Sequence, residues 1–417
     1  MMFLRRVYNY FIGDVSFLKD NLLLFSSITA LNFLSYLYHF VIGRSLGPAD
    51  YGVFGTLFSL IYFLIVPFNT IQTTFSHFVS GLRSEGKFGE ISYLLKRGFL
   101  RMLLYASITV ILFFIIIPFL QDFLKIPSFL PFLALSSVVF FSFFLPVTRG
   151  ALQGLLNFKA LGVNYVLEGV SKLILVLIFL SAGLGVSGAF FAFTASYIFP
   201  FLVSFPAFRF LFKLKKIPTS TRSIYRYSLP VFLMLFSLTA FYTIDVLLVK
   251  HYFDSVDAGF YSALAILGKV IFFGSISISL VMFPKVSALQ NSSRLSRPIL
   301  FRSLILIGIF GFGVTFFYFL FPSFVVRLFF GEAFLRITPI LGFFGLFMTF
   351  FSLVYVLSFY RISLHRYRFL LILIPFNLAE VVLLVSFHQS LSQIVYLLTS
   401  FTALLFLVLF IITLIRK

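Results

Sequence analysis

Five ionisable side chains stand in stretches otherwise too apolar to hold them: Glu168, Lys172, Asp245, Lys269 and Glu380. A charge at the centre of a membrane span costs roughly 2.5–3.5 kcal/mol even on the mildest scales, so each needs a partner or a task. Glu168 and Lys172 are four residues apart, on one helix face, with the acid nearer the helix N-terminus. That is the favourable order for a pair. Two readings follow: the pair neutralises itself as a structural feature, or Lys172 faces a water-filled cavity and binds an anion. Lys269 has no opposite charge at helical spacing. It lies near the middle of its span, where an aliphatic stem can snorkel only part of the way out. Asp245 is closer to the outer end, within reach of Lys250 or Lys269. Glu380 is deep and is a candidate for protonation or for cation binding.

These residues need helices to carry them. The chain has 417 residues, 61% hydrophobic and 11% charged, against about one quarter charged in soluble domains. So much Phe, Leu and Ile has no place inside a water-soluble fold. The class is all-α integral membrane, because the apolar runs are continuous and near the roughly 20 residues of a spanning helix, without the alternation of barrel strands. The runs predict about twelve spans: 21–43, 52–80, 98–120, 129–150, 160–181, 186–209, 228–250, 259–285, 299–321, 337–359, 367–387 and 391–414. Residues 1–20 carry Phe3, Val7, Phe11 and Val15 at helical spacing among basic residues, which predicts an amphipathic helix on the inner membrane surface. The run after it is too long for the core of a signal peptide. The basic stretch 210–227 is the longest inner loop. It separates an N-terminal six-helix bundle, 21–209, from a C-terminal one, 228–417.

Charge placement fixes the orientation. With the N-terminus inside, 25 of the 32 Lys and Arg fall on the inner side, 5 outside and 2 within spans. Such a bias sets topology in the cell (inner) membrane, with both termini cytoplasmic. It also accounts for most of the net charge of +20 without nucleic acid. The inner loops also suit anionic membrane lipids. Cysteine is absent, which removes disulfides and thiolate metal sites. No metal-ligand spacing occurs among the five histidines and there is no phosphate-binding loop, so no cofactor is expected and no catalytic constellation stands out. GLGVSG, from Gly183 to Gly188, follows an apolar helix rather than a strand, so it fails as a dinucleotide fingerprint. Gly150 and Gly154 predict a close helix crossing. Asn291-Ser292-Ser293 has the form of a glycosylation sequon but falls on the inner side.

The two halves repeat. An offset of 207 residues aligns Asp50 with Asp257, Gly52 with Gly259, Phe54 with Tyr261, and Val79-Ser80 with Val286-Ser287; positions 50–82 share eight identities with their counterparts. Six spans per half is an even number, so the repeats are parallel, related by an axis along the membrane normal, with a binding site expected where they meet. The loop GRSLGPADYG, residues 43–52, reads as the outer turn of the first hairpin. Gly47 and Pro48 end one helix, and Asp50 is expected to cap the next, as Asp257 would in the second half. Arg44 is left over from the turn and is a candidate contact at the cavity rim.

Two stretches resemble a known family: G-R-x-L-G-P followed by x-D-Y-G-x-F in that loop, and R-G-A-L-Q-G-L-L-N-F from Arg149 to Phe158 followed by E-x-x-x-K-L at Glu168, Lys172 and Leu173. They resemble the polysaccharide-biosynthesis, or oligosaccharide flippase, family of the multidrug/oligosaccharidyl-lipid/polysaccharide exporter superfamily, over essentially the whole chain. The resemblance implies two six-helix bundles around a central cavity that opens to each side in turn. It implies a polyprenyl-diphosphate-linked oligosaccharide as cargo, carried from the inner to the outer leaflet, with glycosyltransferases and a polymerase of the same pathway as partners. Arg44, Lys172, Lys269, Glu168 and Arg149 are then the candidate substrate-binding residues, and Asp245 and Glu380 the candidate ion-coupling residues. A cation-coupled multidrug or small-molecule antiporter, a non-transporting scaffold for glycan-synthesis enzymes and a membrane-embedded glycosyltransferase are the competing readings. The unpartnered Lys269 argues against the scaffold, and the lack of a sizeable polar loop with paired carboxylates argues against the transferase.

Overall fold

The computed structural model describes residues 15–215, 217, 225–287, 293–364 and 366–415. Residues 1–14 of the expected surface helix lie outside that set, as do 216 and 218–224 of the basic loop and Asn291 and Ser292 of the sequon. Among the described residues the regular structure is helical throughout, with no strand. In chain order the helices are α1 (Val15–Ser84), α2 (Phe88–Leu124), α3 (Leu130–Ser142), α4 (Leu145–Gly154), α5 (Phe158–Ser181) and α6 (Gly185–Phe212). They continue with α7 (Tyr225–Phe241), α8 (Ile244–Tyr252), α9 (Ser255–Ser287), α10 (Ser293–Leu320), α11 (Pro322–Phe329), α12 (Thr338–Ser363), α13 (Leu370–Ser386) and α14 (Leu391–Ile415).

Eleven helical stretches among the described residues are long and apolar enough to cross a membrane. One of them, Leu23–Ser84, has 62 residues, far more than one crossing needs. Its backbone leaves the helical region at Gly47, where φ is 72° and ψ 179°. A side chain there would be strained, and glycine is not. With that bend counted, the stretch holds two crossings, and the twelve expected spans are accounted for. Two spans are also interrupted in ways the apolar pattern does not reveal: at Phe143–Phe144, between α3 and α4, and at Tyr242–Thr243, between α7 and α8. A short interruption hardly alters hydropathy.

The described chain clusters into two compact units. The second gathers Gly43–Val66 and Asp122–Pro127 with the helices from Tyr225 onward; the first holds the remainder of the amino-terminal part. Unit boundaries therefore follow packing as well as chain order. In the first unit, α5 packs along α6, and α6 along α3. Asn157 caps α5 by accepting a hydrogen bond from the Ala160 N–H at 3.2 Å. The Gly150/Gly154 pair makes the close crossing expected of it: a Cβ on Gly150 would lie 2.6 Å from the Gln72 carbonyl oxygen, and one on Gly154 would lie 2.6 Å from Val79 Cβ. In the second unit α12 is the buried axis, packed by α9, α10 and α14. The outward sides of both units are as apolar as their interiors. On α2, for example, Leu104, Ile108, Ile111, Ile115 and Phe119 are all exposed. That pattern suits lipid as the surrounding solvent.

The repeat has a physical counterpart inside the second unit. Repeat-mates touch each other. A Cβ on Gly52 would collide with the Ser255 carbonyl oxygen and lie 2.7 Å from Gly259 N, and one on Gly259 would collide with the Pro48 carbonyl. A Cβ on Gly55 would lie 2.5 Å from Ser262 Cβ, again its counterpart at the same offset. Residues that contact their own repeat-mates lie on the axis relating the repeats, and small residues there let two backbones meet. The expected caps are corrected here. Asp254, not Asp257, caps α9, its Oδ1 accepting from the Asp257 N–H at 2.8 Å, while Asp257 pairs with Arg336 at 3.0 Å. Asp50 lies within α1, which continues as helix past the bend.

A methyl group at the seam therefore has nowhere to go. Gly259→Ala is expected to lower stability by about 1–3 kcal/mol, the usual cost of overpacking, read as an earlier thermal unfolding of the detergent-solubilised protein. Gly81→Ala, where nothing lies within 4 Å of the added carbon, should leave unfolding unchanged.

Candidate functional site

The candidate residues fall into two buried clusters, one in each unit. In the first unit, Arg149 of α4 reaches α5 and donates from Nη2 to Glu168 Oε2 at 2.6 Å and from Nε to Asn164 Oδ1 at 2.7 Å. Lys172 approaches the other carboxylate oxygen, with Nζ 3.0 Å from Glu168 Oε1. The helical spacing read from the sequence thus gives the expected pair, and it acquires a third member. Arg149, assigned to the inner end of its span, is buried, as are Glu168 and Lys172. Aromatic faces and neutral polar groups complete the surroundings. The Arg149 guanidinium lies 4.3 Å from the Tyr165 ring centroid, and Lys172 Nζ lies 4.3 Å from that of Phe193 and 6.0 Å from that of Tyr38. Lys172 also meets Ser35 Oγ at 3.4 Å. The Asn164 amide donates to the Pro200 carbonyl and to Ser204 Oγ, each at 2.8 Å. Two cations around one carboxylate leave a surplus positive charge in an apolar interior.

The second unit holds the opposite balance: Lys269 with Asp245 and Glu380. All three are buried. Asp245 lies in the first turn of α8, just past the break at Tyr242–Thr243. A helix N-terminus favours a carboxylate at that position. Its hydrogen-bond donor is the Tyr261 hydroxyl at 2.7 Å, rather than Lys250 as proximity in sequence suggested. Lys269 and Glu380 are both within Coulombic reach of Asp245. Lys269 lies 4.1 Å from the Tyr62 ring centroid and 5.2 Å from that of Tyr242, so the lysine that lacked a partner in sequence is held over two aromatic faces. Among the described residues, the buried oxygens Thr243 Oγ1, Asp245 Oδ1, Asn377 Oδ1 and Glu380 Oε1 have no hydrogen-bond partner. Buried polar atoms are rarely left so, and hard oxygens of this kind suit a proton or a small cation. Lys269, grouped by sequence with the candidate substrate residues, lies within Coulombic reach of Asp245.

Arg44 joins neither cluster. It donates to the Arg327, Leu328 and Phe329 carbonyls at 2.8, 2.7 and 3.3 Å. Those are the last carbonyls of α11, and a cation there closes the helix end. Lys250, assigned to the outer side, is buried. The aromatic neighbours Tyr62, Tyr242, Tyr261, Tyr165 and Phe193, with the amides of Asn164 and Asn377, were missed from sequence because Phe and Tyr are everywhere in this chain. One was within reach: the same offset that pairs Gly52 with Gly259 pairs Tyr62 with Lys269.

Apolar helices in two units, each enclosing buried charge, define a membrane protein of many spans. Residues 41–339 match the family model described as polysaccharide biosynthesis protein, and the chain belongs to that family. An uncharacterized membrane protein of Methanocaldococcus jannaschii is 26% identical over 319 residues, 70% of this chain and 74% of the relative. Among solved structures, an inward-facing multidrug resistance MATE family transporter of the MOP superfamily matches with a TM-score of 0.79 at 14% identity, covering 95% of this chain and 97% of that one. The lipid II flippase MurJ in its inward closed conformation matches with a TM-score of 0.68 at 15% identity, covering 95% and 87%. At such identities the likeness is one of fold.

Tyr261→Phe removes the donor to Asp245 and leaves a buried carboxylate oxygen unserved. It should cost about 1–3 kcal/mol, visible as a lower unfolding temperature. Arg44→Ala, at an exposed helix end, should cost about 1 kcal/mol or less.

Proposed function

We propose that this protein is a flippase that carries polyprenyl-diphosphate-linked oligosaccharide from the inner to the outer leaflet of the cell membrane by alternating access, for cell-surface polysaccharide assembly. The observation that carries this reading is the surplus cation of the Arg149–Glu168–Lys172 cluster. A diphosphate headgroup needs cationic partners at depth, and a fork-shaped guanidinium beside an ammonium suits phosphate oxygens. The family supports the glycan. Movement of anionic cargo outward is downhill in an inside-negative cell, by about 2.3 kcal/mol per charge per 100 mV. Both termini are assigned to the cytoplasm on the basic-residue bias. Glycosyltransferases and a polymerase of the same pathway would supply and consume the cargo.

A second reading is favoured by the unpartnered oxygens around Asp245 and Glu380: cation coupling, as in a multidrug or small-molecule antiporter. The two readings are compatible within one protein if the acids couple an ion to glycan export.

Deleting the gene should make a lipid-linked glycan accumulate on the inner leaflet, detected by extraction and mass spectrometry. Restoring the gene with Lys172→Gln or Arg149→Gln, at unchanged protein level, should leave export at least about tenfold down, as expected for loss of a charge-assisted contact. Drug sensitivity without any accumulated glycan would point to the antiporter instead.

A further inference from the structure

A structural ion pair requires one cation per carboxylate, and Glu168 has two. The excess matters in an apolar interior, where an uncompensated charge is strongly unfavourable. The three members are not equally anchored. Arg149 is also held by Asn164 Oδ1 at 2.7 Å and by the Tyr165 face. Lys172 is also held by Ser35 Oγ and by the Phe193 face. The hydrogen bonds to the Glu168 carboxylate, among the described residues, come from the two cations. The cations therefore keep their places without Glu168, whereas Glu168 has no such support without them. It is the member that can leave.

We propose that Glu168 is a built-in stand-in for the anionic headgroup: a diphosphate displaces it from Arg149 and Lys172, and the displaced carboxylate takes up one proton from water. This rests on the flippase reading of the same cluster. No bond between heavy atoms changes; one O–H bond forms at Glu168, from a hydronium ion that leaves a water molecule behind. The proton is needed because a carboxylate deprived of its cations in apolar surroundings neutralises rather than stay charged. Around it stand Lys172 and Asn164 of its own helix, Arg149 of α4, and Tyr197 and Ser204 of α6, with Ser35 and Tyr38 of α1 facing Lys172. None of the neutral groups supplies an alternative charge. The sign of the pH dependence follows. Binding that takes up a proton strengthens as pH falls, and the resident carboxylate screens out ligands too weakly anionic to displace it.

The test uses the full-length protein in detergent micelles, with farnesyl diphosphate as the probe and calorimetric titration in two buffers of different ionisation enthalpy. The wild type should take up about one proton per ligand bound. In Glu168→Gln that uptake should vanish and the probe should bind several-fold more tightly, because the competitor is gone, although the protein itself becomes less stable. A bridging carboxylate that merely organises the site would do the reverse, with weaker binding in the Gln variant. Binding to the wild type without proton uptake, or weaker binding to Glu168→Gln, would overturn the stand-in role and leave the flippase reading in place. Failure of the wild type to bind the diphosphate at all would overturn both. Should Glu168→Gln not fold, the proton count in the wild type decides alone.

Discussion

Charge buried in an apolar medium is the constraint on which the rest of this structure depends. The exterior of the protein is as greasy as its interior, so hydrophobic burial alone cannot distinguish one helix face from another. Polar and charged contacts do so instead. In the first unit a carboxylate is clasped by two cations, each steadied by an aromatic face and a neutral oxygen or hydroxyl. In the second unit Asp245 lies within Coulombic reach of both Glu380 and Lys269, and the lysine rests over two tyrosine rings. The aromatic residues have a specific task here. A ring face attracts a cation without adding a charge of its own, so lysine can be held deep in the protein while its charge stays available.

On the proposed function, the opposite balance of the two clusters suits two separate tasks. A surplus of positive charge suits anionic cargo, and a surplus of carboxylate suits a proton or cation. A single site with both tasks would neutralise itself. The two clusters lie in different packing units. The repeat seam fits this arrangement. Gly52, Gly55 and Tyr62 meet Gly259, Ser262 and Lys269 inside one unit, so the start of the amino-terminal half is built into the packing of the carboxy-terminal one.

Much of the fold was legible in the sequence because length and apolarity determine spans, and basic residues determine their direction. The bend at Gly47 was readable as a Gly-Pro turn, and the pair of glycines at 150 and 154 as a close crossing. The breaks at Phe143–Phe144 and Tyr242–Thr243 were not, since a two-residue interruption of the helical hydrogen bonding leaves hydropathy untouched. Glu168 and Lys172 were readable as a pair by spacing, but Arg149 could be joined to them only by tertiary packing between α4 and α5. Lys269 looked solitary because its partners are rings from other helices and a carboxylate from the preceding span. The contact of Arg44 with the end of α11 was not legible, because it joins segments more than 280 residues apart.

On the proposed function, the cationic cluster of the first unit serves the outward passage of a lipid diphosphate. The most direct test is translocation in proteoliposomes, with the purified protein and a fluorescent polyprenyl-diphosphate sugar placed in one leaflet. Transfer to the other leaflet is expected well above that of protein-free vesicles, faster when the destination side is made electrically positive and slower when it is made negative. Transfer no faster than in protein-free vesicles, or transfer of lipophilic cations in its place, would contradict it.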